Sequence, residues 1–432
     1  MIKLKKLAPL KGFITLWGSQ AVSSLGSSMT AYALIIWVYQ QKGTASSVSL
    51  LSFFTFLPSI LFSFAAGTFA DRWDKKRVML LSDLAAACGT LTVLLLHLNG
   101  RLQIWHLYLI NFLISFMNAF QGPASYVATS LLVPKEYYNQ ASGLQSFSSS
   151  LISIITPALA TALLAFGRLE TVLIVDLISF MVAFLTLLLF IRLPELQTEL
   201  NKEKERFIKS CLYGLQFLRE HKMLLKLILY MSLINLLAFT SGYGILSALI
   251  LARSGGNQTV LGLVNSAVGI GMLLGSVAVT LMKPPKSRTR VIFITMAVSF
   301  FLGNALFSAG HSAGVWIVTA FTGNMLVPFT NAGMTAIMRL NVPIELQGRV
   351  FSTRDTVQYF TIPLGLFLGG FLSDRLLEPF MAGASPLRPI LEFIVGSGKG
   401  SGMAILFLIT GIIGVSSSLL CLRNKDFSQL DL

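Results

Sequence analysis

Cysteine and histidine are scarce, three and four in 432 residues. Cys88, Cys211 and Cys421 are too scattered for a disulfide framework, and His97, His106, His221 and His311 show no ligand spacing. Neither a metal site nor a cofactor is expected. Charge is scarce too: Asp, Glu, Lys and Arg make up 12% of the chain, about half of what a soluble domain carries. Acids are rarer than bases, 18 against 33. What is abundant is apolar, 54% hydrophobic residues with a mean hydropathy of +0.74. A polytopic membrane protein follows, and a soluble enzyme is excluded. The basic stretch Met1 to Lys11 leads into an apolar run of full spanning length without a small-residue cleavage site, so a retained first helix is expected, not a signal peptide.

Crossing a bilayer as a helix takes about 20 apolar residues. Such runs occur near 13–39, 47–70, 78–97, 103–130, 143–166 and 170–191, and again near 224–251, 258–282, 291–309, 313–337, 355–377 and 402–422. Six and six predict an all-α membrane protein with two six-helix bundles, 1–192 and 223–432. Residues 193–222 form the one long hydrophilic connection. Its second part, Phe207 to Arg219, has apolar residues at helical spacing and is expected to lie along the membrane surface. Val133-Pro-Lys-Glu136 after the fourth run and Val342-Pro-Ile-Glu345 after the tenth support an internal repeat. Chance recurrence of a helix-start signal is the alternative.

Placing both termini in the cytoplasm puts 26 Lys and Arg on the inner side and 7 on the outer. That asymmetry predicts the orientation, and contact with anionic lipids accounts for the positive excess without nucleic acid.

Polar residues inside spans are costly, so their pattern is informative. In the fourth span Asn111, Ser115, Asn118, Gln121, Gly122 and Ser125 form a stripe at spacings of three and four. Gln20, Ser24, Ser27 and Ser28 repeat it in the first, Asn324, Asn331 and Thr335 in the tenth around Pro328, and Asn235, Thr240 and Tyr243 more loosely in the seventh. Any one residue serves equally as a helix–helix hydrogen bond. Together, the stripes predict a water-accessible central cavity lined by Gln20, Ser24, Ser27, Asn111, Asn118, Gln121, Asn235, Asn324 and Asn331. Asp176, about two turns into the sixth span, is the deepest acid. A raised affinity for protons would make it a coupling site, and a purely structural acid is the alternative. No Lys or Arg is clearly buried, whereas aromatics abound, with 32 phenylalanines. Such a lining suits a large, mainly apolar solute, neutral or cationic.

Between the second and third runs stands Gly67-Thr-Phe-Ala-Asp-Arg-Trp-Asp-Lys-Lys-Arg77. Two apolar helices joined by so short a charged turn must be antiparallel. A loop that only fixes topology has no need of the glycine or the aspartate. The stretch resembles the loop between the second and third helices of the major facilitator superfamily. Asp71 to Asp83, Leu132-Val-Pro-Lys-Glu136, Gly214-Leu-Gln-Phe-Leu-Arg219, Val342 to Arg349 and Gly370-Phe-Leu-Ser-Asp-Arg-Leu-Leu-Glu-Pro379 are similar to its macrolide-efflux and siderophore-exporter group.

The resemblance implies twelve helices, an export cycle of alternating access, and a cytoplasmic gate of Gly67, Asp71, Arg72, Lys75, Lys76 and Arg77, with Asp71 facing the start of the eleventh helix. It implies a small hydrophobic substrate, proton coupling, a cytoplasmic-membrane location and function as a monomer. Two departures count against antiport. The fourth-helix pattern Arg-x-x-Gln-Gly reads Asn118-Ala-Phe-Gln-Gly122, and the fifth-helix antiporter pattern is reduced to Thr156-Pro-Ala-Leu-Ala160. A lipid flippase, a siderophore or secondary-metabolite exporter and an importer are the alternatives. No nucleophile–base pair suggests an enzyme.

Overall fold

The computed structural model describes residues 10–70, 74–134, 137–191, 193, 215–282, 285–383 and 385–431, and the described secondary structure is helical. The first six helices are α1 (Lys11–Lys42), α2 (Ala45–Ala70), α3 (Lys75–Leu98), α4 (Ile104–Leu132), α5 (Tyr138–Phe166) and α6 (Leu169–Phe190). The seventh span consists of α7 (Lys222–Ser241) and α8 (Tyr243–Arg253), and α9 (Gln258–Leu281) is the eighth. Then come α10 (Arg288–Phe300), continued by a π-helical stretch Phe301–Leu306, and a tenth span made of α11 (Ala313–Met325) and α12 (Val327–Asn341). The eleventh combines α13 (Ile344–Tyr359), α14 (Thr361–Leu372), a π-helical Ser373–Leu377 and α15 (Glu378–Ala382); a short α16 (Arg388–Val395) precedes α17 (Ser401–Arg423).

Among the described residues, eleven helical stretches are long and apolar enough to cross a membrane. The 29-residue α4 completes the order expected from the apolar runs.

The breaks have local causes. Pro328 sits in the first turn of α12, where its missing N–H costs nothing, and so begins a new helix inside the tenth span. Gly242 separates α7 from α8, and Tyr243 follows it with φ 39°. Pro58 lies inside α2 without breaking it. The Ser115 hydroxyl of α4 takes up the disturbed backbone there, donating to the Thr55 carbonyl (2.5 Å) and accepting from the Ser59 N–H (3.2 Å).

The chain divides into two compact units, Met1–Gln41 with Leu51–Leu200, and Lys42–Leu50 with Asn201–Leu432. In the first, Leu16, Val78, Met79, Phe120 and Leu187 make a core between α1, α3, α4 and α6. In the second, Leu227, Ile228, Phe293, Ile337 and Val350 do the same. There α14 lies on α7 backbone to backbone: a Cβ on Gly365 would fall 2.7 Å from the Leu236 carbonyl, and one on Gly369 would strike the Thr240 carbonyl. Small residues permit such approach where lipid gives helices no hydrophobic reason to associate. Of the expected surface helix, residues 207–214 lie outside the described residues. Residues 215–220 are helical, with Phe217 and Leu218 buried in the second core.

The end of the chain is tied down by one carboxylate. Asp431 accepts from the Arg288 and Thr289 N–H groups (2.7 and 3.0 Å) and from the Ser287 and Thr289 hydroxyls (2.6 Å each), capping α10. Burial raises its proton affinity, but these four donors outweigh it and hold the carboxyl below its ordinary range. The cap's stabilisation is therefore fully present above that ordinary range and is lost as pH falls through the lowered value. Asp431→Ala is expected to remove a cap worth about 1 kcal/mol. Thermal midpoints in detergent check it: the variant should melt lower than the parent at pH 7, and the gap should close in acid.

Candidate functional site

Two buried carboxylates organise the polar residues of the first unit. Asp83 on α3 is 6% exposed. Its Oδ2 accepts from Gln20 Nε2 on α1 at 3.2 Å, and its Oδ1 from Gln121 Nε2 on α4 at 2.6 Å. Two glutamines expected to line a cavity thus converge on one acid, which hydropathy alone places near a helix end. Asp176 on α6 is 3% exposed. Ser27 of α1 donates to its Oδ1 (3.1 Å) and Thr90 of α3 to its Oδ2 (3.2 Å). A Cβ on Gly26 would stand 3.0 Å from that Oδ1, so the glycine is what lets α1 come this close. Asp176 therefore sits in the packing of three helices.

The other amides divide. Asn111 and Asn324 donate to carbonyls one turn back in their own helices, Leu107 (2.8 Å) and Ala320 (2.8 Å). Asn235 donates to the Gln358 carbonyl at 3.3 Å, joining α7 to α13. Ser24, Asn118 and Asn331 are exposed. Asn331 lines a hollow of about 600 Å³ together with Thr335, Arg339 and Arg288. Sequence reasoning misses these two arginines beside the tenth-span stripe, because Arg288 and Arg339 lie at span ends, where hydropathy reads them as loop charges. A smaller hollow of about 180 Å³ in the first unit is walled by Trp17, Ala21, Leu25, Phe147 and Leu151, and the Trp17 indole donates to Ser148 at 3.2 Å.

At the expected gate, Gly67 lies in the last turn of α2, while Asp71 and Arg72 are outside the described residues. Lys75 opens α3. Lys76 donates to the Leu188 and Ile191 carbonyls (2.9 and 2.7 Å), satisfying the C-terminal end of α6. The Arg77 N–H is capped by Asp74 at 2.7 Å. Lys76 and Arg77 thus have bonds that order the start of α3 and the end of α6.

A second copy of the gate pattern is present elsewhere. Gly370-Phe-Leu-Ser-Asp-Arg375 repeats the Gly-x-x-x-Asp-Arg of Gly67 to Arg72. Within the second unit, Asp374 caps the start of α2: the Ala45 N–H donates to Oδ1 (3.2 Å) and the Ser46 N–H to Oδ2 (2.6 Å). The Ser46 hydroxyl donates to the Gly370 carbonyl at 2.9 Å. Ser49, 1% exposed, closes the contact against Gly244 and Gly370, where any Cβ would stand within about 3 Å of it. The recurrence of the hexapeptide is the signal that sequence reading could have used.

Among the described residues, no group of three His, Cys, Asp or Glu stands close enough to hold a metal ion.

The comparisons agree with this architecture. The family model of the Major Facilitator Superfamily matches residues 16–366. Macrolide efflux protein A of Streptococcus pyogenes is 26% identical over 426 residues, 97% of each chain. The multidrug efflux pump Tap of Mycolicibacterium fortuitum is 24% identical over 381 residues, 84% of this chain and 90% of Tap. Among solved structures, the nucleoside transporter NupG superposes with a TM-score of 0.70 at 10% identity, covering 94% of this chain and 99% of its own. A bacterial homologue of the lysosomal transporter Spinster gives 0.67 at 14% identity, covering 98% of both chains. These structural likenesses bear on the fold alone, whereas the family match spans most of the chain. This protein, an all-helical multi-pass membrane transporter and not an enzyme, belongs to the Major Facilitator Superfamily.

Proposed function

We propose that the chain exports hydrophobic or amphiphilic small molecules across the cytoplasmic membrane, as a monomer, by alternating access coupled to protons. The observation that carries this reading is the end-to-end similarity to macrolide efflux protein A, 97% of both chains. The apolar hollow beside Trp17 and the two carboxylates within the first unit support it. The distribution of 26 cations against 7 supports cytoplasmic termini. In that orientation the 67–77 loop latches the inner face through Asp71, the role that the family resemblance implies for it. Asp176 is the coupling acid.

A lipid or lysolipid flippase is the second reading. Arg288 and Arg339 favour it, because two guanidinium groups lining one hollow suit an anionic headgroup better than a neutral drug.

The test is accumulation of a radiolabelled macrolide and a panel of lipophilic dyes in cells with and without the protein. Expression is expected to lower accumulation several-fold, and Asp71→Asn to restore most of it at unchanged protein level. Equal accumulation across the panel, with lipid uptake in reconstituted vesicles, would transfer the assignment to the flippase.

A further inference from the structure

We propose that Asp83, with Gln20 and Gln121, is a second proton-binding site of this protein, linked to Asp176 through α1. The inference deepens the export reading, on which its meaning for transport rests.

The geometry is a repeat of seven. On α1 the partners of the two acids are Gln20 and Ser27; on α3 the corresponding positions are Asp83 itself and Thr90. Seven residues are nearly two turns, so each pair lies on one helix face, about 10 Å apart along the axis. The seam between α1 and α3 therefore carries a carboxylate at each end. Ser23, buried on α1, and the small residues Ala86 and Ala87 on α3 occupy the levels between them.

The chemistry of the partners points to protons. Arginine or lysine would hold these acids permanently ionised. Instead each is bonded to groups that serve either protonation state: a glutamine turned over by 180° offers its carbonyl oxygen in place of its NH₂, and a hydroxyl rotates from donor to acceptor. Among the described residues the ion pairs are His97–Glu170, Arg354–Asp355 and Arg388–Glu392, and neither buried acid belongs to one. The other acidic, basic and histidine side chains on the described parts of the helices packed here lie at helix ends: Lys11 and Lys42 on α1, Lys75, Lys76 and Arg77 at the start of α3 and His97 at its end, His106 on α4, and Glu170 on α6. Lys76 is engaged with the α6 carbonyls and His97 with Glu170.

In the step itself, a hydronium ion gives up one O–H bond as an Asp83 oxygen takes the proton, and departs as water. One glutamine turns from donor to acceptor so that its carbonyl oxygen accepts a hydrogen bond from the new O–H, and release reverses both movements. Gln20 and Ser27 belong to one rigid helix, so a rotation of α1 that accommodates the change at Asp83 also disturbs the bonds at Asp176. The two sites titrate as a linked pair.

Infrared difference spectroscopy of the reconstituted full-length protein, titrated in pH without substrate, tests this independently of what is transported. The parent is expected to show two carboxylic-acid C=O bands. Asp83→Asn should abolish one and move the titration midpoint of the other, and Asp176→Asn should do the converse. Gln121→Leu, which keeps the acid, should shift the frequency of the Asp83 band. A parent spectrum without the Asp83 band, or an Asp176 midpoint unmoved in Asp83→Asn, overturns the proposal whether or not macrolide export is found. If both bands behave as expected and export fails, only the export reading falls.

Discussion

Asp374→Asn is expected to open the contact that holds the start of α2. In a background cleared of Cys88, Cys211 and Cys421, a Ser49→Cys reporter in the purified protein should then react faster with a water-soluble maleimide. The carboxylate receives two backbone N–H groups, one on each oxygen. An asparagine keeps one acceptor and turns a donor toward the other N–H, and it removes the negative charge from a helix start. Such an N-terminal carboxylate contributes about 1 to 2 kcal/mol, which displaces a two-state equilibrium by roughly 5- to 30-fold. Ser49 is a suitable reporter because it is 1% exposed inside the contact and cysteine differs from serine by one atom. The labelling rate is expected to rise by a similar factor. An unchanged rate in Asp374→Asn would mean that Gly370 and Gly244 hold the contact by packing alone.

The second large effect concerns folding. Gly369→Val should prevent α14 from seating on α7. The first side-chain atom would already strike the Thr240 carbonyl and lie 3.2 Å from Ile245, and both branches of valine must then find room where backbone meets backbone. Overpacking of this kind costs about 1–3 kcal/mol where side chains can yield; here the obstacle is main chain, which cannot swing aside. The expected result is loss of most monodisperse protein in detergent, checked by fluorescence-detected size exclusion. Gly18→Ala is the control. Nothing lies within 4 Å of its added methyl, so it should behave like the parent or, through helix propensity, gain up to about 1 kcal/mol. A normal elution profile for Gly369→Val would contradict the close seating of α14.

These two sites also show what a sequence does and does not disclose. The spans are legible because a bilayer demands length and apolarity, both additive along the chain; expected and observed limits mostly differ by a few residues. The eleventh differs more, since α13 starts at Ile344, upstream of the apolar run, where the charges of Glu345, Arg349, Arg354 and Asp355 conceal a continuous helix. Partners are not legible. Periodicity puts Gln20, Gln121, Asn111 and Asn324 on polar stripes, but it cannot distinguish an amide that reaches a neighbouring helix from one that turns back on its own. The first two meet Asp83, and the last two do not leave their helices. Asp83 reads as a helix-end acid for a related reason. Hydropathy registers distance from a charged loop, and Asp83 is only eight residues beyond Lys75, although α1 and α4 enclose it.

The stitch at Pro58 has its own consequence for α2, whose opening residues pack with one unit and whose remainder packs with the other. One rung along from the Phe54 carbonyl that Pro58 cannot serve, the Ser115 hydroxyl acts as a detachable splint across Thr55 and Ser59. Exchanging that serine for alanine, Ser115→Ala, would leave a bare joint at mid-rod. α2 therefore keeps its continuity through Pro58 on a bond borrowed from a neighbouring helix.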